Sequence, residues 1–243
     1  MPIKAVLFDM FDTLMLIERD HAFYSPSLMR MYRYLNKNGM DVPFEKFNAV
    51  YIEARDRLYA KADLNFEEPH FNVRVSETLR SLGYNHDVSS SIVVEATGEF
   101  CEEFMTYVRI DENAQAMLKD LYGKYKLGII SNFAIPECVF KLLKTHGLDR
   151  LFEVIVVSAA VNKRKPSPEI FESTLKALGV STAETVFVGD TIDADIEGAK
   201  AVGMRAIYIE RRLQRESEKG CPDQTIKSLS ELSLALERWE NKR

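Results

Sequence analysis

Four short polar clusters hold the residue types that chemistry at an anionic substrate requires. The first is Asp9-Met10-Phe11-Asp12-Thr13-Leu14. A carboxylate there can attack phosphorus or carbon, and a covalent intermediate splits a difficult hydrolysis into two steps. The second, Ser131-Asn132, offers a hydroxyl and an amide able to hold an anionic oxygen. The third, Lys163-Arg164-Lys165-Pro166, supplies a lysine that can neutralise charge on nucleophile and substrate. The fourth, Gly189-Asp190-Thr191-Ile192-Asp193-Ala194-Asp195, is a carboxylate group suited to a hard cation with oxygen ligands. A dianionic phosphate does not approach a bare carboxylate, so the acids and a cation belong together.

The clusters follow apolar runs. Lys4–Phe8 reads as a fully buried strand, because Ala5-Val6-Leu7-Phe8 is continuously apolar and stops at Asp9. Leu127–Ile130 stops at Ser131, Val154–Val157 at Ser158, Thr185–Val188 at Gly189-Asp190, and Ala206–Ile209 at Glu210. Helical spacing fills the intervals: Ala114, Met117, Leu118 and Leu121, then Val139, Leu142 and Leu143, then Phe171, Leu175 and Leu178, then Ile196, Ala199 and Val202. This alternation predicts an α/β fold, a Rossmann-like parallel sheet covered on both faces. Ligands of such sheets sit beyond the carboxyl ends of the strands, where the polar clusters fall.

Residues 16–108 break the rhythm and read as helix throughout. Ser25-Pro26 is spaced as a cap followed by proline, with Leu28, Met31, Tyr32 and Leu35 behind it and Gly39 as the stop. Phe44, Phe47, Tyr51, Ala54 and Leu58 keep helical spacing, as do Phe71, Val75, Leu79 and Leu82, and Ile92, Val93, Ala96, Phe100 and Phe104. The expected organisation is a sheet domain from residues 1–15 and 109–243 with an all-helical cap domain at 16–108. Ser228 and Glu231 are spaced as a capping box for a last helix. The weakest order is expected over Gln214–Asp223 and the charged last residues.

Composition excludes several classes. The formal net charge of −5 over 243 residues gives no bulk field for nucleic acid or an anionic membrane. Cys101, Cys138 and Cys221 are odd in number and not in CxxC spacing, against a disulfide frame or zinc site and for a reducing compartment. No signal-peptide pattern opens the chain, and no stretch approaches the roughly 20 apolar residues of a membrane span. A cytoplasmic location is expected.

The order of an Asp-x-x-x-Thr-Leu strand end, a Ser-Asn strand end, a Lys-Pro and a Gly-Asp-x4-Asp resembles the haloacid dehalogenase superfamily. The resemblance covers the whole sheet domain, and the helical insert sits where that superfamily places its C1 cap. Each motif alone has little specificity; four in this order have much. The resemblance implies that Asp9 is the nucleophile, oriented by Thr13. It implies that Ser131 holds the transferring group with Asn132 beside it, and that Lys165 balances charge. A Mg²⁺ ion would be held by Asp9, the backbone carbonyl of Phe11 and Asp190, with Asp195 as an outer partner or occasional ligand.

One position departs from the pattern. Phosphatases of the superfamily usually carry a second Asp two residues after the nucleophile, as general acid and base, and this chain has Phe11 there. Asp12 is the next residue and does not inherit that role. A positioned general acid is worth roughly 10²–10⁴-fold, so slow turnover of alkyl phosphates and better turnover of esters with acidic leaving groups is expected.

Other polar residues have plainer explanations. Lys163 and Arg164 read as a solvated loop, and Asp193 as a first-turn acid complementing a helix dipole. His21, His70, His86 and His146 share no metal spacing and read as structural or surface residues. The insert's Tyr and Phe residues are mostly core, with Tyr24, Arg30, Arg33, Tyr51 and Arg55 as candidates for selecting substrate. Three functions compete. The first is a Mg²⁺-dependent phosphatase acting on a small phosphorylated metabolite through an aspartyl-phosphate. The second is a metal-independent 2-haloacid dehalogenase, favoured by Phe11. Asp190 opposes it, because an unneutralised carboxylate near Asp9 raises the nucleophile's pKa. The third is a degenerate member that binds a phosphorylated ligand or a protein partner without turnover. Monomer and homodimer are equally compatible with the sequence.

Overall fold

The computed structural model describes residues 2–18, 22–211 and 221–240. The chain opens with β1 (Ala5–Phe8) and β2 (Met15–Ile17), followed by four long helices, α1 (Tyr24–Lys37), α2 (Phe44–Ala62), α3 (Phe71–Ser81) and α4 (Ser91–Met105). It returns through β3 (Val108–Ile110), α5 (Ala114–Leu121), β4 (Lys126–Ser131), α6 (Pro136–Thr145), β5 (Val154–Val157) and α7 (Ser158–Val161). The rest is α8 (Pro168–Leu178), β6 (Thr185–Gly189), α9 (Gly198–Ala201), β7 (Arg205–Ile209), β8 (Gln224–Ile226) and α10 (Leu232–Glu240).

Among the described residues, six parallel strands form one sheet in the order β5-β4-β1-β6-β7-β8. β1 lies in the middle, and all four of its residues are buried. A strand covered on both faces must be apolar throughout, which is why Ala5–Phe8 shows no alternation. Phe8 pairs with Ile129 on one side and Val188 on the other. One residue further along each strand therefore puts Asp9, the Ile130-Ser131 end and Gly189 at the same edge. The strand order reverses direction around β1, and this switch point is where α/β sheets open a crevice.

The helical insert leaves and rejoins the sheet through a two-stranded antiparallel ribbon, with Met15 opposite Ile110 and Ile17 opposite Val108. α1 and α4 pack against each other, and Leu28, Met31, Leu35, Val93, Ala96, Phe100 and Phe104 are buried at the expected helical spacing. No described helix is long and apolar enough to cross a membrane.

Several local expectations change. α1 begins at Tyr24, so Ser25 is its second residue rather than its cap, and Ser27 Oγ donates back to Phe23 O at 2.7 Å. Ser228 caps a 3₁₀ turn at Leu229–Glu231, but Glu231 accepts from Lys227 N at 3.2 Å instead of closing a box on Ser228. A true capping box occurs at Ser181 and Glu184. Lys163 and Arg164 are half-buried and engage the insert: Lys163 Nζ donates to Asn65 O at 3.0 Å, Arg164 N donates to Phe66 O at 2.8 Å, and Arg164 pairs with Asp63. They form a contact between sheet and cap, not a solvated loop. His21 and the stretch through residue 220 of the weak-order expectation lie outside the described residues, while Asp223 is held by Ala206 N at 2.8 Å and Lys200 at 2.9 Å.

Candidate active site

Asp9 follows directly from the buried central strand, and its amide donates to Val188 O at 2.9 Å. Beyond it the chain curls tightly, with the amides of both Leu14 and Met15 donating to Met10 O at 2.9 Å. Asp12 turns this curl in the left-handed region at φ 56°, where Asp is among the few side chains tolerated. Its Oδ1 accepts from Ile17 N at 3.1 Å, so Asp12 shapes the loop leading into the ribbon.

Lys165 reaches the same point from the loop before α8. Its Nζ lies 2.6 Å from Asp9 Oδ1 and 2.8 Å from Asp195 Oδ1, and donates to Ile130 O at 2.7 Å. Asn132 holds this loop reciprocally: its Nδ2 donates to Lys165 O at 2.9 Å and its Oδ1 accepts from Lys165 N at 2.8 Å. Asn132 thus fixes the lysine's backbone, and its side chain also lines the cavity over the cluster.

β6 ends at Gly189, and the following residues wind into a π-type turn, Ile192–Glu197, rather than a plain α-helix. Such turns are frequent at functional sites. Here the turn brings Asp195 back over the strand end, where its Oδ2 accepts from Thr191 N at 3.0 Å. A Cβ on Gly189 would lie 2.4 Å from Asp195 Oδ2, so only glycine admits the carboxylate there. Asp193 is exposed and accepts from Ala194 N at 2.8 Å, as a first-turn acid should.

Carboxylate oxygens of Asp9, Asp190 and Asp195 lie within 4.8 Å of one another. Three carboxylates thus surround one ammonium group, and the electrostatics follow. Burial raises the Asp9 carboxyl to about 6; Lys165 opposes the shift and Asp195 adds to it. Burial, then repulsion from Asp9, Asp195 and Asp12, raises Asp190 to about 8. Burial alone would depress Lys165, yet Asp195 and Asp9 hold it above its ordinary value. This excess of negative charge on hard oxygen donors fits a divalent cation. Among the described residues, Asp195 has one oxygen on Lys165 and the other on Thr191 N, whereas Asp190 has only a 3.5 Å contact from Thr191 Oγ1. Asp190 is therefore the freer carboxylate of the two.

The hydroxyls of Thr13 and Ser131 are buried and have no hydrogen-bond partner among the described residues. An unsatisfied buried polar group costs about 1–3 kcal/mol, a cost that an oxygen-rich ligand or water removes. Over the cluster opens a cavity of about 230 Å³ lined by Asp9, Phe11, Asn132, Lys165, Asp190 and Asp195, among others. A larger hollow, about 510 Å³, lies at the opposite ends of the strands around Lys4, Tyr125 and Arg150. Three of its lysines are already paired, Lys4 with Glu184, Lys124 with Asp120 and Lys126 with Glu153, whereas the smaller cavity opens over the carboxylate cluster.

Phe11 is half-buried, its ring 4.7 Å from Phe133 and 5.5 Å from Phe104 of α4. The position two residues after Asp9 is thus an aromatic wall joining sheet and cap. Of the cap residues proposed to select substrate, none lines the cavity. Tyr24 and Tyr51 bond each other at 3.1 Å, Arg30 pairs with Glu99 at 2.6 Å, Arg55 pairs with Asp56, and Arg33 is exposed. Two residues that sequence reasoning passed over, Arg211 and Asp111, do touch the loop after Asp9. Arg211 donates to the carbonyls of Asp12 and Thr13 at 3.0 and 2.8 Å, and pairs with Asp111 at 2.9 Å. In the sequence Arg211 sits in a charged run that reads as solvated surface, and nothing marked it.

The chain resembles known proteins in sequence and in fold. Across 241 residues the chain is 29% identical to a glyceraldehyde 3-phosphate phosphatase of Pyrococcus furiosus, covering 97% of this chain and 94% of that one. A phosphoserine phosphatase of Thermus thermophilus is 33% identical over 109 residues, a match covering 45% of this chain and 43% of the other. Among solved structures, a 2-haloacid dehalogenase from Pseudomonas syringae superposes with a TM-score of 0.76 at 26% identity over 98% of this chain and 99% of that one. A phosphatase from Thermococcus onnurineus superposes with a TM-score of 0.66 at 27% identity over 96% and 98%. The family model that matches residues 3–203 is that of the haloacid dehalogenase-like hydrolases. With that match laid over the central strand, the inserted helices and the carboxylate cluster, the chain belongs to the haloacid dehalogenase-like hydrolase family.

Proposed function

We propose that this hydrolase is a Mg²⁺-dependent phosphatase that acts on a small phosphorylated metabolite through an aspartyl-phosphate on Asp9. The carrying observation is the cluster itself: three carboxylates, Asp9, Asp190 and Asp195, around the single ammonium of Lys165 at the base of a cavity. Asp9, the Phe11 carbonyl and Asp190 would hold the cation, with Asp195 fixing Lys165 from behind. When bound, the ion neutralises the acids and the phosphoryl oxygens, so that an anion can meet an anionic nucleophile.

In the first step an Asp9 oxygen forms a bond to phosphorus as the ester P–O bond breaks, and the electron pair leaves with the alcohol oxygen. Lys165 and the hydroxyls of Ser131 and Thr13, which have no partner among the described residues, would donate to the phosphoryl oxygens. In the second step water adds to phosphorus and the Asp9–phosphorus bond breaks, releasing phosphate and restoring the carboxylate. Phe11 has no proton to give the leaving oxygen, so departure as an anion is favoured. Aryl and acyl phosphates meet that requirement better than alkyl phosphates. The relatives named as phosphatases support the phosphorylated substrate class.

A second reading, displacement of halide from a 2-haloacid, draws on Phe11 and on the Pseudomonas syringae structure. Halide needs no proton. Asp190 weighs against it, because without a cation its carboxylate stands against Asp9. A panel of small phosphates with and without Mg²⁺, run beside 2-chloropropionate, separates the two. Metal-dependent phosphate release supports the phosphatase, and halide release insensitive to EDTA overturns it.

A further inference from the structure

The curl that carries Asp9 and Phe11 is too short to satisfy its own backbone. Met10 O takes two amides, and Asp12 N donates to Met15 O at 2.6 Å, yet these bonds leave the carbonyls of Asp12 and Thr13 to be met from outside. Arg211, two residues beyond β7, supplies both donors from one planar fork: Nε to Asp12 O at 3.0 Å and Nη2 to Thr13 O at 2.8 Å. The same Nη2 lies 2.9 Å from Asp111 Oδ2. Asp111 is 5% exposed, sits just after β3, and is itself fixed by Asn113 N to its Oδ1 at 2.8 Å and by its own amide to Leu14 O at 3.0 Å.

From this geometry we infer that Arg211 is a positioning residue for catalysis, with Asp111 orienting it. Its guanidinium clamps the peptides that follow Asp12 and Thr13, and so sets where the Phe11 carbonyl and the Asp9 carboxylate point. The inference rests on the proposed phosphatase for its kinetic test, but the clamp concerns the loop whatever bond is broken. Asp111 ends the ribbon through which the chain returns from the cap, so the clamp also ties the nucleophile loop to the base of the insert. Arginine suits the task because a fork can meet two carbonyls at once, which a lysine's point charge does not reproduce.

The test compares Arg211→Ala and Arg211→Lys with the wild type in p-nitrophenyl phosphate hydrolysis, Mg²⁺ titration and hydrogen exchange. A misplacement of about 1 Å costs roughly 100-fold in turnover. Arg211→Ala is expected to lose kcat on that scale with KM changed little, and to need more Mg²⁺ for half-maximal rate. Arg211→Lys should fall nearer to Arg211→Ala than to the wild type. The amides of Asp12, Leu14 and Met15 should exchange faster in both variants, while those of β4 do not. Exchange is read without turnover, so it judges the clamp even where the wild type hydrolyses no phosphate and the phosphatase itself fails. Wild-type kcat and Mg²⁺ response in Arg211→Ala, or unchanged exchange in the loop, overturns the positioning role. Faster exchange spread over the whole sheet would also overturn it, by showing a general loss of structure.

Discussion

The ammonium of Lys165 lies 2.6 Å from Asp9 Oδ1, and the two side chains are only 1% and 11% exposed. Breaking a buried pair by removing one partner costs about 3–5 kcal/mol, because the other charge is left uncompensated. Lys165→Met leaves Asp9, Asp190 and Asp195 crowded together. Urea unfolding in EDTA should show a loss of that size, and Mg²⁺ should restore part of it by neutralising the same carboxylates. A loss under about 1 kcal/mol would mean that the pair is not holding the cluster.

On the proposed mechanism, the aromatic wall at position 11 governs which leaving groups depart. Phe11→Asp places a carboxyl where a proton can be delivered, at the expense of ring contacts with Phe133 and Phe104. A general acid contributes roughly 10²–10⁴-fold. The aryl-to-alkyl ratio of kcat/KM is therefore expected to narrow by at least about tenfold on Phe11→Asp. A ratio already near one in the wild type would show that this enzyme finds its proton elsewhere.

Asp190 and Asp195 should respond differently to loss of charge. Asp190→Asn removes a ligand and a repulsive carboxylate, so metal-free protein should melt higher while Mg²⁺ binding weakens by more than about 100-fold. Asp195→Asn should weaken binding by roughly 10–100-fold, the range for an outer partner. It should also lower the melting temperature, because Asp195 engages Lys165 and Thr191 N. Calorimetry and thermal melts check both, and the reverse order of Mg²⁺ affinities would exchange the two roles.

Glu68 gives the cap contact a pH dependence. It is 6% exposed, and burial raises its pKa, with Arg164 and Arg74 opposing. A carboxyl raised in the folded state contributes stability fully present below its unfolded value, near 4.5, and lost as pH rises through the folded value. Relative to the wild type, Glu68→Gln should therefore gain stability as pH increases across that window and then level off. Denaturant midpoints at a series of pH values measure it. A pH-independent difference would mean that Glu68 is not buried in solution.

The sequence carried the strands and the main actors because burial on both faces leaves a continuous apolar run, and each run stops at a polar residue. Asp9, Ser131 and Asp190 stand where those runs stop, whereas Lys165 follows no apolar run and is marked only by the order of motifs that resembles the superfamily. The limits of the pattern are physical too. Asn132 looked like a ligand-facing amide, and it also holds the Lys165 backbone, a pairing across 33 residues that no local pattern encodes. Arg211 contacts Thr13 from 198 residues away and hid in a charged run. Lys163 and Arg164 looked solvated because their partners, Asn65, Phe66 and Asp63, belong to a module whose docking the sequence does not orient. The π-type turn depends on Asp195 folding back onto Gly189, which helical periodicity masks.

The most direct measurement is acid-quenched mass spectrometry of the enzyme caught during turnover of p-nitrophenyl phosphate with Mg²⁺. Covalent catalysis by Asp9 predicts a phosphoryl adduct on the peptide containing Asp9, absent in EDTA and absent in Asp9→Asn, with p-nitrophenol release lost in both cases. Rapid metal-dependent release with no adduct at Asp9, or undiminished release by Asp9→Asn, would contradict it.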